Sequence, residues 1–102
     1  MNKVCDIVKE GEILGIDKPE FPLFFAVLYG DKIATQKFSK RLSCAIKHLP
    51  LRVKFRYVHS TLEAIDLGIT KDPTLVLDGK IFLEGLVQAE QITEAFEKLI
   101  EK

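Results

Sequence analysis

The amino-acid sequence predicts an α/β sandwich in which a four-stranded mixed sheet is flanked by helices, with an extra helix at the N-terminus. The unbroken apolar run at residues 23–28 is typical of a strand buried on both faces. The strict alternation of apolar and basic residues over 51–57 is typical of a half-buried strand. Apolar residues at helical spacing fill the segments between and after these strands. The element order is therefore a helix followed by β-α-β-α-β-β-α.

Length and composition fit one globular domain. The chain has 102 residues, of which 47% are hydrophobic and 29% charged. Two independent cores would be hard to build at this length, and the composition excludes a disordered or collagen-like chain. We divide the chain into an N-terminal helix and connector, residues 1–22, and a single globular unit, residues 23–102.

The formal net charge is zero, but the charges are segregated along the chain. Residues 31–60 carry eight basic residues against Asp31 alone, a net charge of +7. Residues 61–102 carry nine acids against four lysines, a net charge of −5. This pattern predicts a charge dipole, which suits oriented docking or head-to-tail association.

The sequence predicts a cytoplasmic protein with no membrane partner. Its longest apolar run, residues 21–29, has nine residues where a spanning helix needs about 20. Charged residues interrupt the position of a signal peptide's apolar region. In the cytoplasm Cys5 and Cys44 are expected to be reduced thiols. No Cys or His pair has metal-ligand spacing, so we expect neither a metal nor a cofactor.

At the N-terminus, apolar residues near helical spacing predict a short helix over residues 2–14 that stops at Gly15. A strand pair is the alternative, because Gly11 weakens a helix. Residues 17–22 contain two prolines and form a connector.

The middle of the chain predicts a helix and a basic strand. Residues 32–49 are predicted to form a helix that Pro50 ends, because their apolar residues recur at spacings of three and four and form one stripe. The strand at 51–57 follows, with Arg52, Lys54 and Arg56 on its wet face. Because that face is all cationic, we expect this strand at a sheet edge.

The C-terminal half supplies a short helix, a hairpin and a closing helix. Ser60 and Glu63 form a capping box before a helix over 61–67. Strands at 74–77 and 80–84 are joined by the tight turn Asp78-Gly79. A helix over 88–101 closes the chain. The first two strands should run parallel and the last two antiparallel.

Residues 67–80, LGITKDPTLVLDGK, followed by Gly85, resemble the thioredoxin family's pattern of Gly-Val/Ile, a short loop, Pro-Thr-Leu, an apolar strand and Asp/Asn-Gly. The likeness covers about residues 23–100 and is nearest to small thioredoxin- or glutaredoxin-like proteins. It implies a thioredoxin-like fold and a cis Asp72–Pro73 bond. In that family the residue before the proline offers its backbone to an extended substrate.

The sequence departs from that family at its reactive site. Redox-active members carry cysteine where the first strand meets the helix, since the helix N-terminus lowers the thiol pKa. Here Lys32 and Thr35 align with those cysteines, and a shift by one gives Ile33 and Gln36. We expect Cys44 to be a buried or half-buried structural thiol and Cys5 to be partly exposed.

The groove that holds substrate in the family maps onto nine residues, by resemblance: Gly30, Asp31, Lys32, Ile33, Lys71, Asp72, Pro73, Gly85 and Leu86. They either form a peptide-binding site or have only structural roles, and the sequence does not distinguish between these two interpretations. His48 and His59 are read as a helix-end side chain and a loop residue rather than catalytic groups.

The basic stripe of Arg52, Lys54 and Arg56, with the lysines and Arg41 of the preceding helix, fits either a solvated surface or a site for an acidic partner or nucleic acid. The sequence does not say whether helix and strand cations share a face. We favour the solvated surface.

We therefore expect a redox-inactive thioredoxin-like domain with no catalytic residue, which binds another protein or a peptide. A homodimer is compatible with this. The alternative function is a thiol–disulfide oxidoreductase that uses Cys5 or Cys44. Nucleic-acid binding through the basic stripe is a weaker third hypothesis.

Overall fold

The computed structural model describes residues 7–101, which form one five-stranded mixed sheet and three helices. The elements in chain order are β1 Ile13–Gly15, β2 Leu23–Tyr29, α1 Lys32–Ile46, β3 Arg52–Val58, α2 Thr61–Asp66, β4 Thr74–Leu77, β5 Lys80–Glu84 and α3 Ala89–Ile100. The strands lie in the order β1-β3-β2-β4-β5.

The strand directions agree with the sequence prediction. β2 and β3 run parallel and are joined by α1, and β4 and β5 form an antiparallel hairpin. Both residues of its turn, Asp78 and Gly79, have positive φ angles of 49° and 84°. That is the backbone which Asp-Gly turns favour. The mixed α/β class is thus confirmed.

The two faces of the sheet are covered unequally. α1 and α3 pack on one face, over buried residues such as Ala26 and Leu28 of β2 and Val53 and Phe55 of β3. The opposite side, which we call the open face, carries the alternate residues of the same strands. α2 covers only one end of it, where Ala64 packs against a small cluster. The buried residues of that cluster are Tyr29, Val58, Ile69 and Val76.

The N-terminal helix prediction is wrong within the described residues, and its residues 2–6 lie outside them. Residues 13–15 form β1, which pairs antiparallel with β3, so the sheet has five strands instead of four. Gly15 is not a helix stop. Its φ is +94°, and a Cβ there would lie 2.0 Å from the carbonyl oxygen of Leu51. Glycine therefore permits this close approach of two backbones.

The edge position predicted for the basic strand is also wrong. β1 covers Arg52–Lys54 of β3 on one side and β2 pairs with all of β3 on the other, so the sheet edges are β1 and β5. The alternation correctly identified one wet side of the strand. That side is exposed to solvent because no helix of residues 7–101 packs on this part of the open face. It is not exposed because the strand lies at the edge of the sheet.

The prediction that β2 is buried on both faces holds for one face only. Toward α1 and α3, Ala26 and Leu28 are buried and Phe24 is half-buried, whereas Leu23 and Phe25 on the open face are exposed. α2 has only six residues and ends before Gly68, whose φ is +75°. A helix of that length spans roughly 9 Å and cannot cover the whole strand.

A hydrogen-bond cluster ties the segment before β1 to α1 and β3. The Val8 N–H donates to Ser39 Oγ at 2.6 Å, and the Tyr57 hydroxyl donates to the Val8 carbonyl. Tyr57 also lies within hydrogen-bond distance of Ser39 Oγ, at 2.8 Å. Burial raises the pKa of the Tyr57 hydroxyl. Val8 itself is part of the core, which makes this segment integral to the domain.

Candidate functional site

Four chain segments meet where the parallel strands β2 and β3 end. They are the turn from β2 into α1, the loop after β3, the loop before β4 and the loop after β5. Asp31 is the N-cap of α1, and its carboxylate accepts a hydrogen bond from the Ala34 N–H at 2.8 Å. This cap fixes where the helix begins and so places Lys32 and Ile33 in its first turn.

The loop before β4 contains the cis bond Asp72–Pro73, as the resemblance implied. The Pro73 carbonyl accepts from the Gly85 N–H at 2.7 Å, and the Thr74 hydroxyl donates to the Lys71 carbonyl at 2.7 Å. Pro73 is buried, whereas Asp72 is exposed. Among residues 7–101, nothing hydrogen-bonds to the backbone N–H or C=O of Asp72. That backbone is therefore available to a ligand.

The side chain of Asp72 turns back onto the start of α1. Its two carboxylate oxygens lie 3.2 and 3.3 Å from the backbone N of Asp31, which donates to them. The hydrogen bond from Ala34 holds the pKa of Asp31 below its usual value. Desolvation raises the pKa of Asp72, and the adjacent Asp31 carboxyl adds to that rise. The positive end of the helix is thus occupied by the chain's own carboxylates.

Glycine is required at the junction between β2 and α1. Gly30 has a φ of +147°, and a Cβ there would lie 2.1 Å from Asp72 Oδ1 and 3.2 Å from Pro73 Cα. A side chain would displace the loop before β4. Gly30 therefore allows the two halves of the site to touch.

A shallow groove runs beside this junction. Its walls include six of the nine residues that resemblance assigned, namely Asp31, Lys32, Ile33, Asp72, Pro73 and Leu86. Ala34 and Lys37 complete the lining. Ile33 is 69% exposed, and Leu86 is exposed across the groove. The groove thus joins an apolar surface, two carboxylates, two lysines and the accessible backbone of Asp72.

The remaining three assigned residues lie around the groove without lining it. Gly30 and Lys71 line a second depression, on the other side of the Asp31–Asp72 contact. Gly85 supports Pro73 through its backbone N–H. The nine residues are therefore brought to one end of the sheet, but only six share one surface.

Two residues at this end were not assigned from the sequence. His59 was taken for a plain loop residue, yet its Nδ1–H donates to the Gly30 carbonyl at 2.8 Å and its ring stacks on Tyr57. Its position just after β3, parallel to β2, was the available signal, because both strands end at the same edge. Lys37 lies one turn after Ile33 on α1, so helical spacing predicts that it shares the groove.

The positions aligned with the family's cysteines hold no thiol. Lys32 is exposed, and Thr35 is buried with its hydroxyl donating to the Lys32 carbonyl. Cys44 lies twelve residues after Lys32, roughly 18 Å along the helix axis. It is exposed and is not a free thiol, so the expectation of a buried or half-buried reduced thiol is wrong. Cys5 lies outside the described residues.

The basic residues do not form one face. The α1 cations lie on the helix side of the sheet, whereas Arg52, Lys54 and Arg56 lie on the open face. The Arg52 guanidinium donates to the carbonyls of Phe21 and Pro19 and lies 3.9 Å from Asp17. The Arg52 side chain therefore binds the connector, residues 17–22. Lys54 and Arg56 are the exposed cations of this strand.

Comparisons with known proteins identify no relative. No protein-family model matches the chain, and neither the curated proteins nor the solved structures contain a match. Within residues 7–101, no helix is both long and apolar enough to span a membrane. The same part of the chain contains no cluster of three His, Cys, Asp or Glu side chains suited to a metal.

Proposed function

We propose that this chain is a thioredoxin-like domain that binds an extended peptide in the groove beside Pro73 and performs no redox chemistry there. The observation that carries the proposal is the groove itself. It keeps the proline loop and the accessible backbone of Asp72 beside a helix start without cysteine.

The arrangement of elements supports a thioredoxin-like assignment. The parallel pair β2 and β3, the antiparallel hairpin β4–β5 and the placement of α1 and α3 on one side follow the order that the resemblance implies. The cis proline directly precedes β4. In this reading β1 is an addition that extends the sheet beyond β3.

The groove offers two kinds of contact to a peptide. The Asp72 N–H and C=O can each form a hydrogen bond with an extended backbone, which gives affinity without sequence preference. Ile33 and Leu86 provide exposed apolar surface on either side. Lys32 and Lys37 add positive charge along one wall. An extended segment with an apolar residue opposite Pro73 fits these contacts.

The alternative thiol–disulfide oxidoreductase has less support. The groove is lined by no cysteine among the described residues, and Cys44 lies far along α1 from its start. The helix N-terminus acts on a thiol only within the first turn. Cys44 therefore lacks the field that activates the family's nucleophile.

Selection of peptides from a random library displayed on phage tests the proposal. Affinities of selected peptides are then compared between the parent chain, Ile33→Asp in the groove and Leu62→Asp on α2, an equally exposed apolar position elsewhere. We expect Ile33→Asp to weaken groove peptides at least tenfold and Leu62→Asp to leave them unchanged. Equal affinity for the parent chain and Ile33→Asp would remove the proposal.

A further inference from the structure

The open face carries a group of exposed apolar side chains that the groove does not use. Phe25 in the middle of β2 is 56% exposed. Ile13 on β1, Leu23 on β2 and Ile81 on β5 are exposed on the same side. Phe25 and Leu23 lie two residues apart on the same side of β2, Ile13 follows beyond Lys54 in the same row across the sheet, and Ile81 lies two strands away on β5. We call these four residues the apolar patch of the open face, and groups of exposed apolar side chains often mark interaction sites.

The sequence of β2 indicates that this patch is normally covered. All residues from Leu23 to Leu28 are apolar, the pattern of a strand buried on both faces. Within residues 7–101, α1 and α3 cover most of one face, whereas the other face is open beyond α2. A disagreement between a strong local pattern and the fold is expected where a further component binds.

Two cations border Phe25. Lys54 lies beside Phe25 in the β2–β3 register, and Arg56 lies beside Val27. Lys54 forms no ion pair within residues 7–101, and Arg56 approaches Glu10 at 4.0 Å with both side chains more than half exposed. A pair so long and so exposed is weak. Both cations are therefore available to carboxylates of a partner.

Charge argues against a second copy of this chain as the occupant. A twofold pairing through Phe25 would bring the Lys54 and Arg56 cations of both copies into one interface. Docking onto the acidic side of α3 of another copy would balance the charges. That contact joins two different surfaces, so it builds rings or open chains rather than a twofold dimer.

Charge also argues against nucleic acid. Binding of single strands needs a row of phosphate contacts and stacked bases. The open face offers one exposed ring and two available cations, and the carboxylates of Glu10 and Asp78 lie near them. The Asp78 carboxylate accepts from the Phe25 N–H at 2.9 Å. The mostly aliphatic patch fits apolar side chains better than bases.

We propose that the open face binds an acidic amphipathic segment of a partner protein. Its apolar side chains pack on Phe25 and its neighbours, and its carboxylates pair with Lys54 and Arg56. This site is distinct from the peptide groove, which lies at the carboxyl ends of β2 and β3, and it does not depend on the groove's function.

The test is selection from a library of 20-residue peptides that have apolar residues fixed at helical spacing. All remaining positions are randomised. Affinities are measured for the parent chain, Phe25→Asp, Lys54→Glu and the groove variant Ile33→Asp. We expect acid-rich peptides that bind Phe25→Asp and Lys54→Glu at least tenfold more weakly and bind Ile33→Asp unchanged. Lys54 is exposed, so Lys54→Glu also serves if Phe25→Asp folds poorly.

Several results would overturn the proposal. They are peptides without acidic enrichment, peptides insensitive to Lys54→Glu, and the absence of any selected peptide. Self-association abolished by Phe25→Asp would assign the patch to a second copy instead. Binding of a random single-stranded oligonucleotide pool that is lost in Lys54→Glu would assign it to nucleic acid. Loss of binding only in Ile33→Asp would place the ligand in the groove.

Discussion

Gly30 and Asp72 occupy the same small space where β2 turns into α1, so each restricts the other. The Asp72 carboxylate lies where a Cβ at Gly30 would point, at 2.1 Å. We expect Gly30→Ala to lower the free energy of unfolding by about 3 kcal/mol, because the substitution combines a clash with an unfavourable φ. Urea denaturation measures this change.

Gly68→Ala is the matched control for Gly30→Ala. Gly68 also has a positive φ, +75°, but a Cβ there would meet no atom within 4 Å. Its cost should be the conformational one alone, about 1 kcal/mol. Equal costs at the two positions would show that the contact between Gly30 and Asp72 is unimportant.

The pKa values of Asp31 and Asp72 should be shifted in opposite directions from the pKa of an ordinary Asp. We expect the pKa of Asp31 below and that of Asp72 above the usual value of about 3.9. Asp31→Asn should lower the Asp72 pKa partway, because the repulsion disappears while the desolvation remains. Carboxyl NMR titration of both chains measures this, and an unchanged Asp72 pKa would contradict it.

The pH dependence of stability follows from the sign of each shift. Because folding raises the Asp72 pKa, its contribution is fully present below the unfolded-state pKa and is lost as pH rises through the folded-state value. Asp31 has the opposite sign, and its contribution is lost as pH falls through its lowered pKa. Asp72→Asn should therefore lose less stability than the parent chain as pH rises from about 4.

At the scale of elements, Tyr57 connects β3 to the segment before β1. Tyr57→Phe leaves the Val8 carbonyl without its donor, and we expect a loss of about 1–2 kcal/mol in the free energy of unfolding. The amide hydrogen of Gly11, which bonds to the Phe55 carbonyl at 2.8 Å, should also exchange faster. Hydrogen-exchange NMR detects this local loosening.

Tyr29→Phe is the control for the loss of the Tyr57 hydroxyl. Tyr29 is also largely buried, but within residues 7–101 its hydroxyl has no hydrogen bond. Its removal should change stability by less than about 0.5 kcal/mol. If both substitutions cost the same, the hydrogen-bond cluster does not hold the segment before β1.

Most elements were predictable because their signals are local. The stripe of α1, the Ser60 cap and the Asp78-Gly79 turn are each set within a few residues. A strand before Gly15 was only the alternative to a helix, since three residues hold too little periodicity and the partner of β1, Arg52–Lys54, lies far along the chain. The position of β3 inside the sheet depended on that same missed pairing.

The site was predictable only through resemblance. Nothing in composition or spacing brings Asp31 and Asp72 together, because 41 residues separate them. The pattern around Pro73 placed both residues at one end of the sheet. It could not reveal that the Asp72 carboxylate accepts a hydrogen bond from the N–H of Asp31, the N-cap of α1, since that depends on the space left by Gly30.

At the scale of the whole molecule, charges segregated along the chain do not form two poles. The acidic helix α3 packs beside the basic helix α1, with Thr93 Oγ1 donating to the Ala45 carbonyl at 3.0 Å and Arg41 donating to the Leu86 and Val87 carbonyls. The β3 cations lie on the other side of the sheet. The fold therefore distributes charge over separate surfaces, and the predicted dipole does not follow from it.

The start of α1, which carries no cysteine, predicts that this chain has no disulfide reductase activity. With dithiothreitol as reductant, we expect insulin reduction at the uncatalysed rate, because no cysteine stands at the start of α1. The variants Cys5→Ser and Cys44→Ser should give the same rate. Turnover by the parent chain that either variant abolishes would establish the oxidoreductase alternative.

The central claim is that the groove beside Pro73 binds an extended peptide. The most direct measurement is an NMR titration of the labelled protein with a peptide selected from the random library. We predict the largest amide shifts at Asp31, Lys32, Ile33, Asp72 and Leu86, with saturation at one peptide per chain. Saturable shifts confined to other surfaces, or no shifts with any selected peptide, would contradict the claim.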